Sequence, residues 1–333
     1  MKKDKKVYIL VMTVAAFMVA LVLLTRFSSV TQNTFEDTTI DNYKSGDCKF
    51  AFNDQIVGNE NGNLSFLHVN TGKTDIISAV KTNWSSLIPD EKLMVYSNGD
   101  GKTGIAKFAE NDQVVLNRTI FTEDTDLRID PTLIKFGGTY YMTSTLIQGP
   151  VNQSDPNAEN GVYTIQLYSS DDMVTWKHVA DIASAQNNLE DVDIMADGNL
   201  LRVTYEKETR DKAPSSIIEV SSSDNGQTWG HETVLLPDNG DNEPATFTKV
   251  NDQYYLFYSS DVNNPGTSYS GASVYLSKYD ESLQLVSTTE LQTNPSSNIL
   301  LYDTLIDGNN VKLLFASDYL GSNNLNIETV ALP

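Results

Sequence analysis

The segment at residues 222–229 reads Ser-Ser-Asp-Asn-Gly-Gln-Thr-Trp, a pattern that suits a tight turn between two antiparallel strands. In such a turn the Ser and Asp side chains bind turn amides, the glycine supplies a positive φ and the tryptophan packs beneath. A degenerate copy at residues 169–176 has Met173 at the place of Gly226. Each copy follows an apolar strand, at residues 163–167 and 216–220. A turn that recurs after strands predicts a chain built from repeated β-units.

The repeated unit extends through most of the chain. A strand leads to a turn rich in Gly, Asn and Asp, and then to an apolar strand. Three clear copies begin at Asp130, Glu190 and Glu243. A fainter copy begins at Asp54, and two weak copies begin near Trp84 and Leu300. The clear copies start roughly 50–60 residues apart, a spacing compatible with four-stranded blades. The sequence therefore predicts an all-β fold, a β-propeller of five or six four-stranded blades, six if N-terminal strands complete the last one.

The N-terminus differs from the rest of the chain. Four lysines among the first six residues precede an apolar run over residues 7–24, which is long enough to nearly cross a bilayer. A basic flank favours a cytoplasmic N-terminus. We expect a cytoplasmic tip and signal-anchor helix at residues 1–27, a polar stalk at 28–47 and an extracellular propeller at 48–333. A cleaved signal peptide is the alternative.

Net charge and cysteine content limit the kinds of partner and of cross-link that this chain can have. The chain has 44 acidic and 23 basic side chains and a net charge of −21, a field that repels nucleic acid. Cys48 is the one cysteine, so the domain must be stable without disulfides. We interpret the chain as a bacterial cell-membrane protein that contacts the lipid bilayer through its N-terminal helix.

Four acids occupy matching positions in the repeats. Asp54, Asp130, Glu190 and Glu243 each lie eight residues before a turn Gly or Asn. The first strand of a propeller blade lines the central axis, so we expect these side chains to converge at one end of it. Converging carboxylates push their pKa values apart, and glycoside hydrolysis needs one protonated and one ionised carboxyl group. Solvated or Ca²⁺-binding acids, and a non-catalytic ligand site, are the alternatives.

Two resemblances to propeller enzymes follow from these residues. Residues 222–229 resemble the Asp-box of sialidases, which in that family is a fold element away from the active site. Residues 128–131 (Arg-Ile-Asp-Pro) and 243–244 (Glu-Pro), each followed by a Tyr-Tyr strand, resemble five-bladed arabinanase/xylosidase-type glycosidases of glycoside hydrolase family 43. That resemblance implies Asp130 as general base, Glu243 as general acid, and Asp191 or Glu190 as the group that tunes the acid.

Other propeller enzymes imply different assignments. The order of Asn53-Asp54, Asp130 and Glu190 is similar to that in invertase and levansucrase-like enzymes, which implies Asp54 as nucleophile, Asp130 as stabiliser and Glu190 as acid. A sialidase is a further alternative, because Arg128 and Ile129 resemble its Arg-Ile-Pro element. Such an enzyme needs three arginines for the carboxylate of its substrate.

The remaining expectations concern binding groups. We expect Arg128, Tyr141 and Tyr255 to contact a sugar, since aromatic faces stack on sugar rings. No cofactor is required by this chemistry, although residues 238–243 have an oxygen-rich spacing that suits a structural Ca²⁺. The sequence thus predicts a membrane-anchored glycosidase that acts on a polysaccharide or oligosaccharide, with a non-catalytic glycan- or protein-binding propeller as the alternative.

Overall fold

The computed structural model describes residues 35–332 except for 42, 44–45, 99, 122–126, 150–160, 187 and 210–211. The signal-anchor helix expected at residues 7–24 lies outside this range. No helix in the described ranges is both long and apolar enough to cross a membrane.

The described residues form twenty-four strands and two short 3₁₀ turns, Pro89–Glu91 and Ser268–Ser270. The chain begins with β1 (Thr38–Ile40) and continues through six groups of strands. Blade 1 contains β2 (Lys49–Phe50), β3 (Gln55–Glu60), β4 (Asn63–His68) and β5 (Lys73–Lys81). Blade 2 contains β6 (Trp84–Ile88), β7 (Leu93–Ser97), β8 (Thr103–Phe108) and β9 (Val114–Thr119). Blade 3 contains β10 (Leu127–Phe136), β11 (Thr139–Gln148), β12 (Val162–Ser170) and β13 (Lys177–Ala185).

The remaining strands complete the molecule. Blade 4 contains β14 (Asn188–Asp197), β15 (Leu200–Glu208), β16 (Ser215–Ser222) and β17 (Thr233–Leu236). Blade 5 contains β18 (Asn242–Val250), β19 (Gln253–Ser260), β20 (Ser273–Tyr279) and β21 (Leu285–Glu290). Blade 6 contains β22 (Ile299–Asp307), β23 (Asn310–Ser317) and β24 (Asn324–Ala331), with β1 as its outer strand.

These strands form a six-bladed propeller of four-stranded antiparallel sheets. The first strands of successive blades contact each other in a ring, so blade 1 meets both blade 2 and blade 6. The ring closes through β1, whose Thr38 and Ile40 pair with Ile327 and Leu325 of β24. An N-terminal strand thus completes the sixth blade. Residues 38–40 therefore belong to the propeller and not to the stalk expected at residues 28–47.

The two turns of the repeated motif have the expected local hydrogen bonds. The Gly226 amide donates to Ser222 Oγ at 2.9 Å, the Thr228 amide donates to Asp224 Oδ1 at 2.9 Å, and the Trp229 ring nitrogen donates to the Gly226 carbonyl at 3.1 Å. Gly226 has a φ of +85°, which explains the glycine. The degenerate copy keeps the same conformation with Met173 at φ +61°. Both turns therefore use their polar side chains internally.

The hydrophobic core is divided among the interfaces between blades. Six clusters of buried apolar side chains each join two neighbouring blades. The largest joins blades 3 and 4 and includes the fully buried Tyr163, Ile165 and Tyr205. Since each blade buries apolar faces against two neighbours, all six blades are needed to cover the core.

A ring of six hydrogen bonds also links the blades near the axis. In each bond a side-chain oxygen of one blade accepts the backbone N–H of the next blade's first strand. The bonds run from Ser85 to Asp47, Leu133 to Ser86, Asp191 to Asp130, Phe247 to Asp193, Leu301 to Ser259 and Phe50 to Asp303, at 2.7–3.2 Å. The ring satisfies buried amides that the sheets leave unpaired.

Replacing Ser259 with alanine should destabilise the protein. Ser259 is fully buried, and its loss leaves the Leu301 N–H without an acceptor in the interface between blades 5 and 6. We expect the free energy of unfolding to fall by about 1–3 kcal/mol in urea denaturation. The matched change Ser287→Ala on the exposed strand β21 should stay within about 0.5 kcal/mol of wild type. Equal effects of the two changes would contradict a structural role for the ring.

Candidate active site

A cavity of about 430 Å³ lies where the first strands of the blades begin. It is lined by side chains of all six blades and of the segment before β2. The lining residues are Gly46, Asp47, Lys49, Trp84, Ile129, Asp130, Ile147, Tyr163, Glu190, Asp191, Glu243, Pro244, Tyr269, Leu300, Leu301, Tyr302 and Tyr319. The cavity thus brings together four of the five acids predicted to be catalytic: Asp130, Glu190, Asp191 and Glu243.

A β-bulge recurs on the first strand of blades 3 to 6 and aims these acids. The pairing register breaks between Ile129 and Thr132, Glu190 and Asp193, Pro244 and Thr246, and Leu301 and Asp303. Asp130 and Asp191 each sit at a bulge with positive φ, +46° and +48°. A non-glycine residue in this conformation is strained, and such strain is typical of functional sites.

The structure aligns blade 3 with blade 4 differently from the sequence pattern, by one residue. The β10–β11 turn is formed by Gly137 and Gly138, and the β14–β15 turn begins at Gly198, so Gly137 and not Gly138 matches Gly198. Asp130 is therefore equivalent to Asp191. By the same count Glu190 is equivalent to Glu243. The site contains two aspartates from one bulge position and two glutamates from the position before it.

Asp191 connects the other acids. Its N–H donates to Asp130 Oδ2 at 3.0 Å, and its carboxylate lies close to the Glu243 and Glu206 carboxyl groups, whose interaction with it opposes the rise in its pKa. Oxygens of Asp191, Glu206 and Glu243 all lie within 4.8 Å of one another. Tyr269 also donates to Glu243. Four carboxyl groups on four strands of three neighbouring blades thus lie close together, and repulsion among like charges at this range favours their protonated forms.

Burial and mutual repulsion raise the pKa values of the network. Burial, and then the Asp191 charge, raise the pKa of Asp130 to about 8. Burial, and then Asp191 and Asp241, raise the pKa of Glu243 well above its usual range. Burial likewise raises the pKa of Asp191 itself, although hydrogen bonding and Lys49 oppose the shift. Burial and the neighbouring carboxylates therefore raise the pKa of both Glu243 and Asp130 and favour their protonated forms.

Lys49 is the one cationic side chain among the described residues that line the cavity. Its Nζ lies 3.3 Å from Asp47 Oδ1 and donates to the Tyr302 carbonyl at 2.8 Å. Burial lowers the pKa of Lys49, but the charges of Asp47, Asp303 and Asp191 outweigh it and raise the pKa above the usual value. The lysine stays charged and offsets part of the acidity of the site.

The structure places Asp54, Arg128, Tyr141 and Tyr255 away from this cavity, because none of them is among its lining residues. Asp54 lies in the β2–β3 turn, since the first strand of blade 1 is β2 and not β3. Arg128 is buried in blade 3, where it donates to Gln166 and stacks on the Phe121 ring with 4.5 Å between guanidinium and centroid. Tyr141 and Tyr255 are buried in the cores between blades.

Sequence reasoning missed several residues of the site. Asp47 and Lys49 fall where a stalk and a faint repeat were expected. The run at residues 206–208 reads as a solvated strand end, yet only 3% of the Glu206 surface and 5% of the Glu208 surface are exposed. The aromatic residues Trp84, Tyr269, Tyr302 and Tyr319 also line the cavity. For Glu206 a signal existed: it pairs in register with Glu190, which the repeats had already marked.

The stability of the protein should fall as pH rises from about 4 to about 8, partly because of Asp130. Its folded-state pKa is about 8 against an ordinary value of 3.8, so over this range the folded state binds the proton that the unfolded state has released. Asp130→Asn keeps the shape and an acceptor for the Asp191 amide but carries no charge. At pH 8 we expect the free energy of unfolding of the variant to be higher than that of wild type, by a few kcal/mol at most. Near pH 4 the two values should be similar.

Thermal and urea unfolding of both proteins between pH 4 and 9 checks this expectation. The exposed Asp238→Asn is the matched control and should follow the wild-type pH dependence. If Asp130→Asn has the same slope as wild type, Asp130 is ionised at neutral pH.

Comparison with known proteins gives a likeness of fold. No protein-family model and no curated protein matches the chain. Among solved structures, a Hadza microbial sialidase matches with a TM-score of 0.55 and 12% identity over 86% of this chain and 65% of that one. An α-L-arabinanase from Penicillium chrysogenum in complex with arabinobiose has a TM-score of 0.49 and 12% identity over 90% and 98% of the two chains. The native arabinanase of Bacillus subtilis has a TM-score of 0.48 and 15% identity over 74% and 92%. The sialidase match is one of fold alone, and the structure itself confirms the β-propeller that the sequence resemblance implied, with six blades and not the five of arabinanase-type glycosidases.

Proposed function

We propose that this protein is a glycoside hydrolase that cleaves glycosidic bonds in an extracellular or cell-wall polysaccharide with two carboxyl groups. One observation carries the proposal: Asp191 binds Asp130 through its amide and Glu243 through its carboxylate, at the wall of a cavity large enough for a sugar. Glycoside hydrolysis needs two carboxyl groups in different protonation states on either side of the bond, and a third group between them separates their roles.

The roles follow from proximity and proton affinity. Glu243 and Asp191 have oxygens within 4.8 Å of each other, a separation smaller than two carboxyl groups need to hold a water molecule and a sugar bond between them. The pair that flanks the bond is therefore Glu243 and Asp130. Glu243 donates its proton to the leaving oxygen, and Asp130 removes a proton from the attacking water or attacks directly. Asp191 is a positioning residue, because it holds both groups.

A neutral sugar is the favoured substrate. The acidic wall of Asp130, Glu190, Asp191 and Glu243 repels an anionic sugar, and Lys49 is already bound to Asp47. A sialidase needs several arginines for its substrate carboxylate, and the described residues that line the cavity include none. The rings of Trp84 and of the tyrosines offer apolar faces on which a neutral sugar stacks. An exo-sialidase is thus the weaker interpretation.

The location of the enzyme is proposed from the sequence alone. The basic residues 2–6 and the apolar residues 7–24 favour a single membrane anchor with the propeller on the extracellular side. In that position the enzyme meets polysaccharide outside the cell.

A non-catalytic glycan-binding propeller is the second candidate. It is favoured by the pKa of Asp130, because a base with a pKa of about 8 is mostly protonated at pH 7. In that case the acids would bind sugar hydroxyls as hydrogen-bond donors and acceptors without turning over a substrate.

Asp130→Asn and Glu243→Gln should each abolish most turnover. We expect kcat to fall by about 10²–10⁴, because each change removes a proton acceptor or donor at the reacting bond. The measurement is release of reducing ends by the purified full-length protein from plant and bacterial polysaccharides, with sialylated glycans as a further test. The exposed changes Asp238→Asn and Glu281→Gln are controls that should retain wild-type rates. Turnover that survives both site changes contradicts the assignment, and no turnover on any substrate favours the binding propeller.

The pH dependence of kcat/KM should separate the two roles. Because Asp130 must lose its proton to act as base, kcat/KM should rise with pH up to about 8. At higher pH it should fall as Glu243, whose pKa burial raises well above the usual range, ionises. An initial-rate profile from pH 5 to 10 on the best substrate checks this shape. A rate that falls steadily from pH 5 to 8 would instead make Asp130 the acid.

A further inference from the structure

A second carboxylate cluster lies beside the candidate active site, between blades 4 and 5. Glu206 and Glu208 come from the end of β15, and Asp241 comes directly before β18. One carboxylate oxygen of each lies within 4.8 Å of the other two. All three residues are buried, with 3%, 5% and 4% of their surfaces exposed. Glu206 belongs to both clusters, because an oxygen of its carboxylate also lies within 4.8 Å of oxygens of Asp191 and Glu243.

An amide oxygen points to a ligand at this cluster. Asn188 on β14 is fully buried, and its Nδ2 donates to Glu208 Oε1 at 2.9 Å. The Oδ1 atom of the same carboxamide is also buried and accepts no hydrogen bond. A buried acceptor without a donor is costly, and it is rarely left so in folded proteins. Because Asn188 Nδ2 binds Glu208, this carboxamide lies directly beside the cluster.

The backbone around the cluster is fixed before any ligand binds. The Asp241 amide donates to Asp261 Oδ1 at 2.9 Å, which ties the start of blade 5 to its own second strand. Asn242 Nδ2 donates to the Ser215 carbonyl at 2.7 Å, which ties it to blade 4. Three acids are therefore held close together by a rigid frame, and the repulsion among them can be relieved by a cation.

We propose that Glu206, Glu208, Asp241 and the Asn188 carbonyl bind one Ca²⁺ ion. All the donor atoms are oxygens, which suits a hard cation and not zinc. Calcium binds oxygen at about 2.3–2.6 Å, so oxygens up to about 5 Å apart fit one coordination shell, whereas Mg²⁺ at about 2.1 Å requires a smaller one. The ion would join blades 4 and 5 and hold Glu206 against the Asp191–Glu243 pair.

This site differs from the calcium loop suggested by residues 238–243. In that segment Asp238 is exposed, whereas Asp241 is buried and faces strands of the neighbouring blade. The ligands come from β14, β15 and the start of β18, so their spacing in the sequence gives no calcium motif. The proposal does not depend on hydrolysis by the neighbouring acids.

Calcium uptake by the purified full-length protein tests the site. The protein is stripped with EGTA and desalted, then titrated with CaCl₂ or MgCl₂ while bound metal is counted by mass spectrometry and Tm is followed. We expect one Ca²⁺ per chain and a rise in Tm of about 5 °C at a hundredfold excess over Kd. Glu208→Gln with Asp241→Asn should reduce bound Ca²⁺ at least tenfold and abolish the shift. In EGTA this variant should melt above wild type, because repulsion is removed.

A variant with the exposed changes Glu281→Gln and Asp238→Asn is the matched control and should bind Ca²⁺ as wild type does. The wild-type metal count stands by itself if the site variant does not fold. No uptake of Ca²⁺ by wild type, an equal Tm shift with Mg²⁺, or a Ca²⁺ shift that persists in the site variant would each overturn the proposal.

Discussion

The hydrogen bonds that join each blade to the next are the constraint on which both the fold and the site depend. A propeller brings the first strands of its blades together at the axis. The edge of each first strand that faces the axis has no neighbouring strand to accept hydrogen bonds from its amides. This chain satisfies those amides with side-chain oxygens, and four of the six acceptors are aspartates. The same need that closes the ring therefore places carboxylates at the axis. Asp130 both accepts the Asp191 amide and lines the cavity, so structure and candidate chemistry share one side chain.

Concentrating acids at the axis has an electrostatic cost that the protein meets in several ways. Lys49 neutralises part of the charge, and its contacts with Asp47 and the Tyr302 carbonyl keep it at the cavity wall. Burial raises the pKa of Asp130 and Glu243, which favours their uncharged forms. A cation at Glu206, Glu208 and Asp241 would complete the compensation on the side of blades 4 and 5. Asp130 and Asp191 both have a positive φ, and this backbone strain further lowers the stability of the protein.

Sequence patterns predicted the fold class well because turn chemistry is local. The Gly, Asn and Asp turns and the strands beside them depend on a few neighbouring residues, and most of them lie where expected. The number of blades was harder, because β1 and β2 contain only three and two residues and carry no periodic signal. The closing contact between β1 and β24 joins residues at opposite ends of the chain. No local pattern reports such a pairing.

The candidate site was predicted in part for the same reason. Asp130, Glu190, Asp191 and Glu243 follow from repeat position, which a sequence does contain. Asp54 was misplaced because the short strand β2 precedes it and shifts the count by one strand. Arg128 shows a different limit: it lies two residues before Asp130, so a regular strand would place both side chains on one face, and the bulge after Ile129 breaks that alternation.

The two sides of the cavity differ in character, and this asymmetry bears on how a ligand would lie. Blades 3 to 5 and the segment before β2 supply the carboxylates, whereas blade 6 supplies Leu300, Leu301, Tyr302 and Tyr319. At the bulge of β22 the register shift surrounds Tyr302 and not an acid, so the repeated backbone feature carries an aromatic side chain there. A sugar has polar edges and apolar faces. Under the proposed function, the polar edges of a sugar would meet the carboxylate side and one apolar face would meet the aromatic side.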